Sequence, residues 1–180
     1  MTVGQSETSE RKAMERSWTT VDKADWGPGE WQDEPDKIQW VDEPTGLDCL
    51  IHRGPLGNLC GYVGVPPEHP AYGADYNSVR RADGDWIDVH GGLSYAARCA
   101  DTEDESHGIC HVPEPGRPHD VWWLGFDCGH AGDVHPEMDA RLRASGMPSM
   151  PSFGHDTYKP VAYVKRDVTS LARQLAEAKV

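Results

Sequence analysis

The sequence predicts an α+β protein in which a mainly antiparallel sheet is packed by a C-terminal amphipathic helix, with long irregular loops between the elements. Three observations predict it. LDCLIHR (47–53) and LCGYVGV (Leu59–Val65) are short, β-favourable runs flanking the turn-forming GPLGN, which suits a hairpin. VWWLGFDC (121–128) is almost continuously apolar, the pattern of a central strand. Val161, Val164, Val168, Leu171, Ala172 and Leu175 recur at helical spacing between Pro160 and Ala178, while Lys165, Arg166, Asp167 and Arg173 fall elsewhere, so this helix should lay one apolar stripe on a sheet face.

Taken in chain order, residues 1–40 read as a polar tail followed by a Trp-rich arm, and residues 41–180 as a single α+β domain. Residues 1–16 carry no apolar stripe. Trp18, Trp26, Trp31 and Trp40 are separated by Gly, Pro and acidic residues without helical or strand period, which predicts an irregular arm anchored by its indoles. After the hairpin, PPEHPAYGADY has too many prolines to continue a ladder and reads as a surface loop. Residues 86–97 (WIDVHGGLSYAA) alternate apolar and polar and predict a strand beside 121–128. The insertion between them, 98–120, is acidic over Asp101–Glu105 and too long for a tight turn. A short helix over Pro136–Ala144 is predicted by a proline suited to a first turn and by Gly146 after its end.

Length and charge bound the function. The 180 residues carry a formal charge of −13, the wrong sign for a protein that neutralises phosphates without regard to sequence, so no nucleic-acid polymer is expected as partner. An anionic membrane surface is disfavoured for the same reason, and no run reaches the roughly 18 apolar residues of a spanning helix. The N-terminus lacks the apolar stretch of a secretory signal, which predicts a reducing, intracellular location. There, five cysteines at 49, 60, 99, 110 and 128 are expected as free thiols or metal ligands, not as a disulfide framework.

The densest chemical pattern is Asp88-Val89-His90-Gly91-Gly92 together with Asp127-Cys128-Gly129-His130-Ala131-Gly132-Asp133. In a strand, Asp88 and His90 share one face, and Asp127 closes the neighbouring strand before a glycine-rich turn. Carboxylates and imidazoles that converge this way can bind a divalent metal, with Asp88, His90, Asp127, His130 and Asp133 as ligands. They can equally form an acid–base pair, with His90, Asp127 and His130 as catalytic groups. Gly91 and Gly92 would let the backbone approach a ligand and donate amides to it. A hydrogen-bonded structural Asp–His pair with glycines at a bulge accounts for the same residues.

Zinc is a second candidate at Cys99, Cys110 and His111, with His107 and either Cys128 or His130 as further donors; the ligand types fit, although no Cys-x-x-Cys pair is present. Buried thiols beside solvated histidines are the alternative. Cys128, at a Gly-rich turn two positions before His130, is a possible nucleophile that Asp127 and Asp133 would oppose as thiolate; a small buried hydrophobe is the competing reading. Trp122 and Trp123 should point to opposite faces of their strand.

The strings LCGYVGVPPEHP, DVHGGLSY, ICHVPEPG and VWWLGFDCGHAGD, in this order, resemble segments shared by a family of uncharacterised small proteins encoded by actinobacterial phages. The likeness runs over about 40–175 and includes Tyr163-Val164-Lys165. It implies a phage origin and a role in the host cytoplasm during infection, and it brings no residue roles with it. Two functional expectations follow from the residues. One is a small-molecule site for a nucleotide-like ligand, working as a metal-assisted or acid–base hydrolase. The other is a non-enzymatic accessory protein that binds a host protein or sequesters a small signalling ligand through the polar cluster and exposed indoles.

Overall fold

A computed structural model describes residues 15–99, 106–111, 120–148 and 154–179. The predicted tail up to residue 14, the acidic run Asp101–Glu105 and the Pro-rich end of the insertion lie outside the described residues. Among the described residues, six strands form one antiparallel sheet: β1 (Arg16–Trp18), β2 (Lys37–Val41), β3 (Asp48–Arg53), β4 (Leu59–Val65), β5 (Tyr95–Arg98) and β6 (Trp122–Asp127), in the order β1-β2-β3-β4-β6-β5. Two helices follow, α1 (Pro136–Ala144) and α2 (Val161–Ala176). The α+β architecture with a C-terminal helix on the sheet is therefore as expected. No described helix is long and apolar enough to cross a membrane.

The β3–β4 hairpin pairs Arg53 with Leu59 across the GPLGN turn, closed by the Gly54 amide on the Asn58 carbonyl at 2.8 Å. All seven residues of β4 are buried because it is central and covered on both faces. On one face Cys49, Ile51, Leu59, Val63, Leu124 and Phe126 meet the predicted stripe of α2. Gly61 makes this approach possible, since a Cβ there would sit 2.5 Å from Val168 and 2.6 Å from Phe126. Leu50, Tyr62, Val121 and Trp123 pack on the other face beside Cys99 and Ile109. Trp122 lies against the α2-side core, so the two indoles do point opposite ways.

Two readings are corrected here. The segment from Trp18 to Trp40 is not an irregular arm throughout: β1 and β2 extend the sheet, and β2 straddles residue 40 and pairs along its length with β3. Indoles do anchor the segment between them, with Trp26 buried and Trp31 edge-on to Tyr158 at 5.2 Å. Its carboxylates hold it as firmly. Asp36 pairs with Lys23 at 2.8 Å and Arg53 at 2.7 Å and accepts the Thr20 and Val21 amides, while Glu34 accepts the first α2 amide, Val161, at 2.6 Å. The second correction concerns residues 86–97, of which only Tyr95–Ala97 are strand, within β5. Before them, the side-chain amide of Gln174 on α2 satisfies both the N–H and the C=O of Asp88, each at 2.8 Å. Gly91 (φ +66) and Gly92 (φ +83) then turn the chain in a conformation no strand continues.

His52 lies on β3 behind the sheet. Burial, followed by the charges of Lys37 and His107, pushes its imidazole from the ordinary 6.5 down to about 4 against the opposing pull of Asp36. The unfolded chain takes up a proton near 6.5 and the folded chain does not until about 4. The stability due to a neutral His52 is thus present above pH 6.5 and lost as pH falls toward 4, by about 2–3 kcal/mol. Urea unfolding at pH 7.5 and 4.5 should show this loss, and His52→Gln should flatten the slope across that window.

Candidate metal and acid–base site

Three side chains from two parts of the chain converge beside the end of β6 and α2. His90 arrives on the loop that Gln174 pins to α2, and the Asp167 carboxylate accepts its backbone amide at 3.3 Å. His130 and Asp133 come from the glycine-rich turn after β6, closed by the Asp133 amide on the His130 carbonyl at 2.9 Å. One donor atom from each of His90, His130 and Asp133 lies within 4.8 Å of the others, so the three could hold a metal ion.

Asp133 organises the cluster. Its Oδ2 lies 2.8 Å from His90 Nε2 and accepts the His130 amide at 2.9 Å, and its Oδ1 is 3.2 Å from Lys159 Nζ. Burial alone would raise its pKa, but the hydrogen bonds from His90 and the His130 amide, the His90 charge and the Lys159 bond outweigh burial and hold the carboxyl below the usual range. Asp133 is therefore an anion throughout the neutral region. The other His90 nitrogen, Nδ1, is 3.0 Å from the Tyr163 hydroxyl. A hydroxyl can donate or accept, so Tyr163 supports either His90 tautomer: Nε2–H donated to Asp133, or Nε2 free for a cation with Nδ1–H donated to Tyr163.

His130 packs its ring 5.5 Å from that of His90. Its Nδ1 is buried without a hydrogen-bond partner, standing 3.8 Å from Asp133 and 3.9 Å from Asp127. His135 Nε2 is buried and unpartnered in the same way, close to the turn at Gly129. Orphaned buried nitrogens cost free energy unless something occupies them.

The remaining predicted residues are distributed unevenly. Asp127 borders the cluster and spends its oxygens on the Ser94 hydroxyl at 2.8 Å and the Gly129 amide at 2.9 Å. Asp88 is not among the converging donors; with His90, Tyr163, Arg166, Ser170 and Arg173 it lines an adjoining cleft of about 830 Å³. The Gly92 amide is committed to the Val89 carbonyl at 2.9 Å. Gly91 supplies space: a Cβ there would lie 2.2 Å from the His130 ring. Gly91→Ala should therefore displace His130, at a cost of about 1–2 kcal/mol of backbone strain, and, if the cluster takes up Zn2+, lower that affinity more than about tenfold. Gly92→Ala, with φ +83 and open space around it, should show the strain alone; titration calorimetry and thermal unfolding separate the two. Sequence reasoning missed Tyr163 and Lys159, which reach the site only because α2 packs where it does.

Cys128 is 1% exposed, and burial followed by the Asp133 charge pushes its thiol far up, which makes it a packed small hydrophobe and no nucleophile. The cysteine expectation is corrected too: Cys99 and Cys110 form a disulfide, while Cys49, Cys60 and Cys128 are free and buried. An odd cysteine count says nothing about which two sulfurs the fold brings together. Cys99, Cys110 and His111 remain a compact donor group, which His107, Cys128 and His130 do not join.

The chain matches no protein-family model, no curated protein and no solved structure, so its function has to be read from these sites.

Proposed function

We propose that this protein, made by a phage in the host cytoplasm, binds a divalent cation through His90, His130 and Asp133 and hydrolyses a small, nucleotide-like phosphate compound. The observation that carries the reading is the convergence of two imidazoles and one ionised carboxylate, with a buried His130 nitrogen left without a partner. Two nitrogens and one oxygen suit zinc and related metals, and three protein ligands leave a position for water or substrate. Such a cation lowers the pKa of bound water toward neutrality. Lys159 and Tyr163 orient Asp133 and His90, and Asp127, at the rim, serves as the proton acceptor. The adjoining cleft, about 830 Å³, is of the size that takes a small ligand, and Arg166 and Arg173 give it cations for an anionic one.

Titrating the protein, with its disulfide intact, against Zn2+ and Mn2+ while screening nucleotides and phosphate esters tests this. One cation per chain and turnover, both lost in His90→Ala, are expected. No bound cation, together with unchanged behaviour of His90→Ala in ligand and activity screens, would remove the reading.

A further inference from the structure

The other donor group lies on the opposite side of the sheet from α2. Cys99 follows the last residue of β5, Cys110 and His111 are adjacent in sequence, and the sulfurs and the imidazole meet within one cluster. The disulfide places the Cα atoms of Cys99 and Cys110 4.7 Å apart. Three features surround it that a plain structural crosslink does not need. Trp123, fully buried, donates its indole N–H to Cys99 Sγ at 3.2 Å. His111 is 5% exposed and packs its ring 5.6 Å from that indole. Lys37, 1% exposed, donates to the Cys110 carbonyl at 2.8 Å and the His107 carbonyl at 3.4 Å, tying residues 107–110 to the sheet independently of the sulfurs.

We propose that Cys99, Cys110 and His111 form a thiol-gated zinc site, shut while the disulfide is intact and open once a dithiol reduces it. In the reduction the dithiol gives up two electrons and two protons and becomes a disulfide, and the Cys99–Cys110 bond breaks to two thiols. Zinc entry then releases both thiol protons to solvent and forms two Zn–S bonds and one Zn–N bond, with water in the fourth position. Zn–S bonds of about 2.3 Å in a tetrahedron hold the sulfurs about 3.8 Å apart, so they need only part locally. The Trp123 N–H favours the thiolate form of Cys99, as hydrogen bonds to metal-bound sulfur do. The Lys37 tether keeps His111 in place after the S–S bond is gone. A reducing cytoplasm supplies dithiols of the required class.

The test uses the full chain, reduced without oxygen by a phosphine that is then removed, and Co2+ as a spectroscopic stand-in for zinc. A thiolate-to-cobalt charge-transfer band is expected in the reduced protein only. It should persist in His130→Ala, which spares this site, and vanish in Cys99→Ser. In reduced wild-type protein, Zn2+ should slow alkylation of Cys99 and Cys110 at least about tenfold, as mapped by peptide mass spectrometry, and leave Cys49, Cys60 and Cys128 unchanged. This arm decides the matter should Cys99→Ser fail to fold. No band on reduction, a band that survives in Cys99→Ser, or equal alkylation with and without zinc overturns the proposal. Loss of cation binding by the oxidised protein in His90→Ala bears on the other site alone.

Discussion

Asp133→Asn should weaken cation binding at the proposed two-histidine site more than about 100-fold while leaving the fold in place. The substitution keeps the shape of the side chain and removes the charge that faces His90 Nε2 at 2.8 Å and Lys159 Nζ at 3.2 Å. A neutral amide is a poor ligand for zinc. Affinity for Zn2+ should fall by more than about 100-fold, beyond the 10–100-fold typical of losing an orienting partner. Linkage gives a second readout. At a Zn2+ concentration 100 times its Kd, binding to the folded state alone stabilises by about 2.7 kcal/mol, a gain the wild type should show in thermal unfolding and the variant should not. Without metal the variant should be about 1–3 kcal/mol less stable, because the half-buried Lys159 loses its charged partner. Equal stabilisation of both proteins by Zn2+ would remove Asp133 from the ligand set.

Asp36→Asn should cost about 3–5 kcal/mol of folding stability, the usual consequence of taking one member from a buried charge cluster. Asp36 is 2% exposed and faces two cations, Lys23 and Arg53, that are 5% and 4% exposed. Both would stay buried with less opposing charge, since the Glu34 carboxylate stands farther off, at 3.6 Å from Arg53. Burial opposes ionisation of Asp36, but the bonds from Lys23, Val21, Thr20 and Arg53 together hold its pKa below the ordinary 3.8. Its contribution is therefore fully present above about pH 3.8 and fades as pH falls through the lower folded value. Denaturant unfolding at pH 7 measures the cost. Lys23→Met added to Asp36→Asn should cost less than the sum of the two single changes, because it removes a charge already stranded. Full additivity would show that the three groups do not act as one unit.

Elements whose signal is local were legible in the sequence. The β3–β4 hairpin and β6 show as short apolar runs bounded by turns, α2 shows as a helical apolar stripe, and α1, which buries only Pro136, shows through its first-turn proline and the glycine after its end, so neighbours along the chain report each element. β2 was not legible, because two of its inward residues are polar: Lys37 and Gln39 are 1% and 6% exposed, and Lys37 is buried by reaching carbonyls 70 and 73 positions away. Residues 86–97 misled for the opposite reason. Their alternation imitates a strand, but Gln174 takes the hydrogen bonds of Asp88 and two positive-φ glycines reverse the chain. Of the residues in the Asp-His-Gly clusters, His90, His130 and Asp133 do meet, while Asp88 and Asp127 are left outside that donor group.

By itself the sequence determined the α+β class, the sheet-covering helix, the acidic balance and the residue types at the candidate site. The tertiary structure decided which of those residues converge, that Tyr163 and Lys159 complete the cluster, and that Cys99 meets Cys110. The division has a physical cause. Periodicity and turn chemistry are properties of adjacent residues, whereas convergence of donors depends on how loops of differing length close over the sheet and α2, and no local pattern encodes that closure.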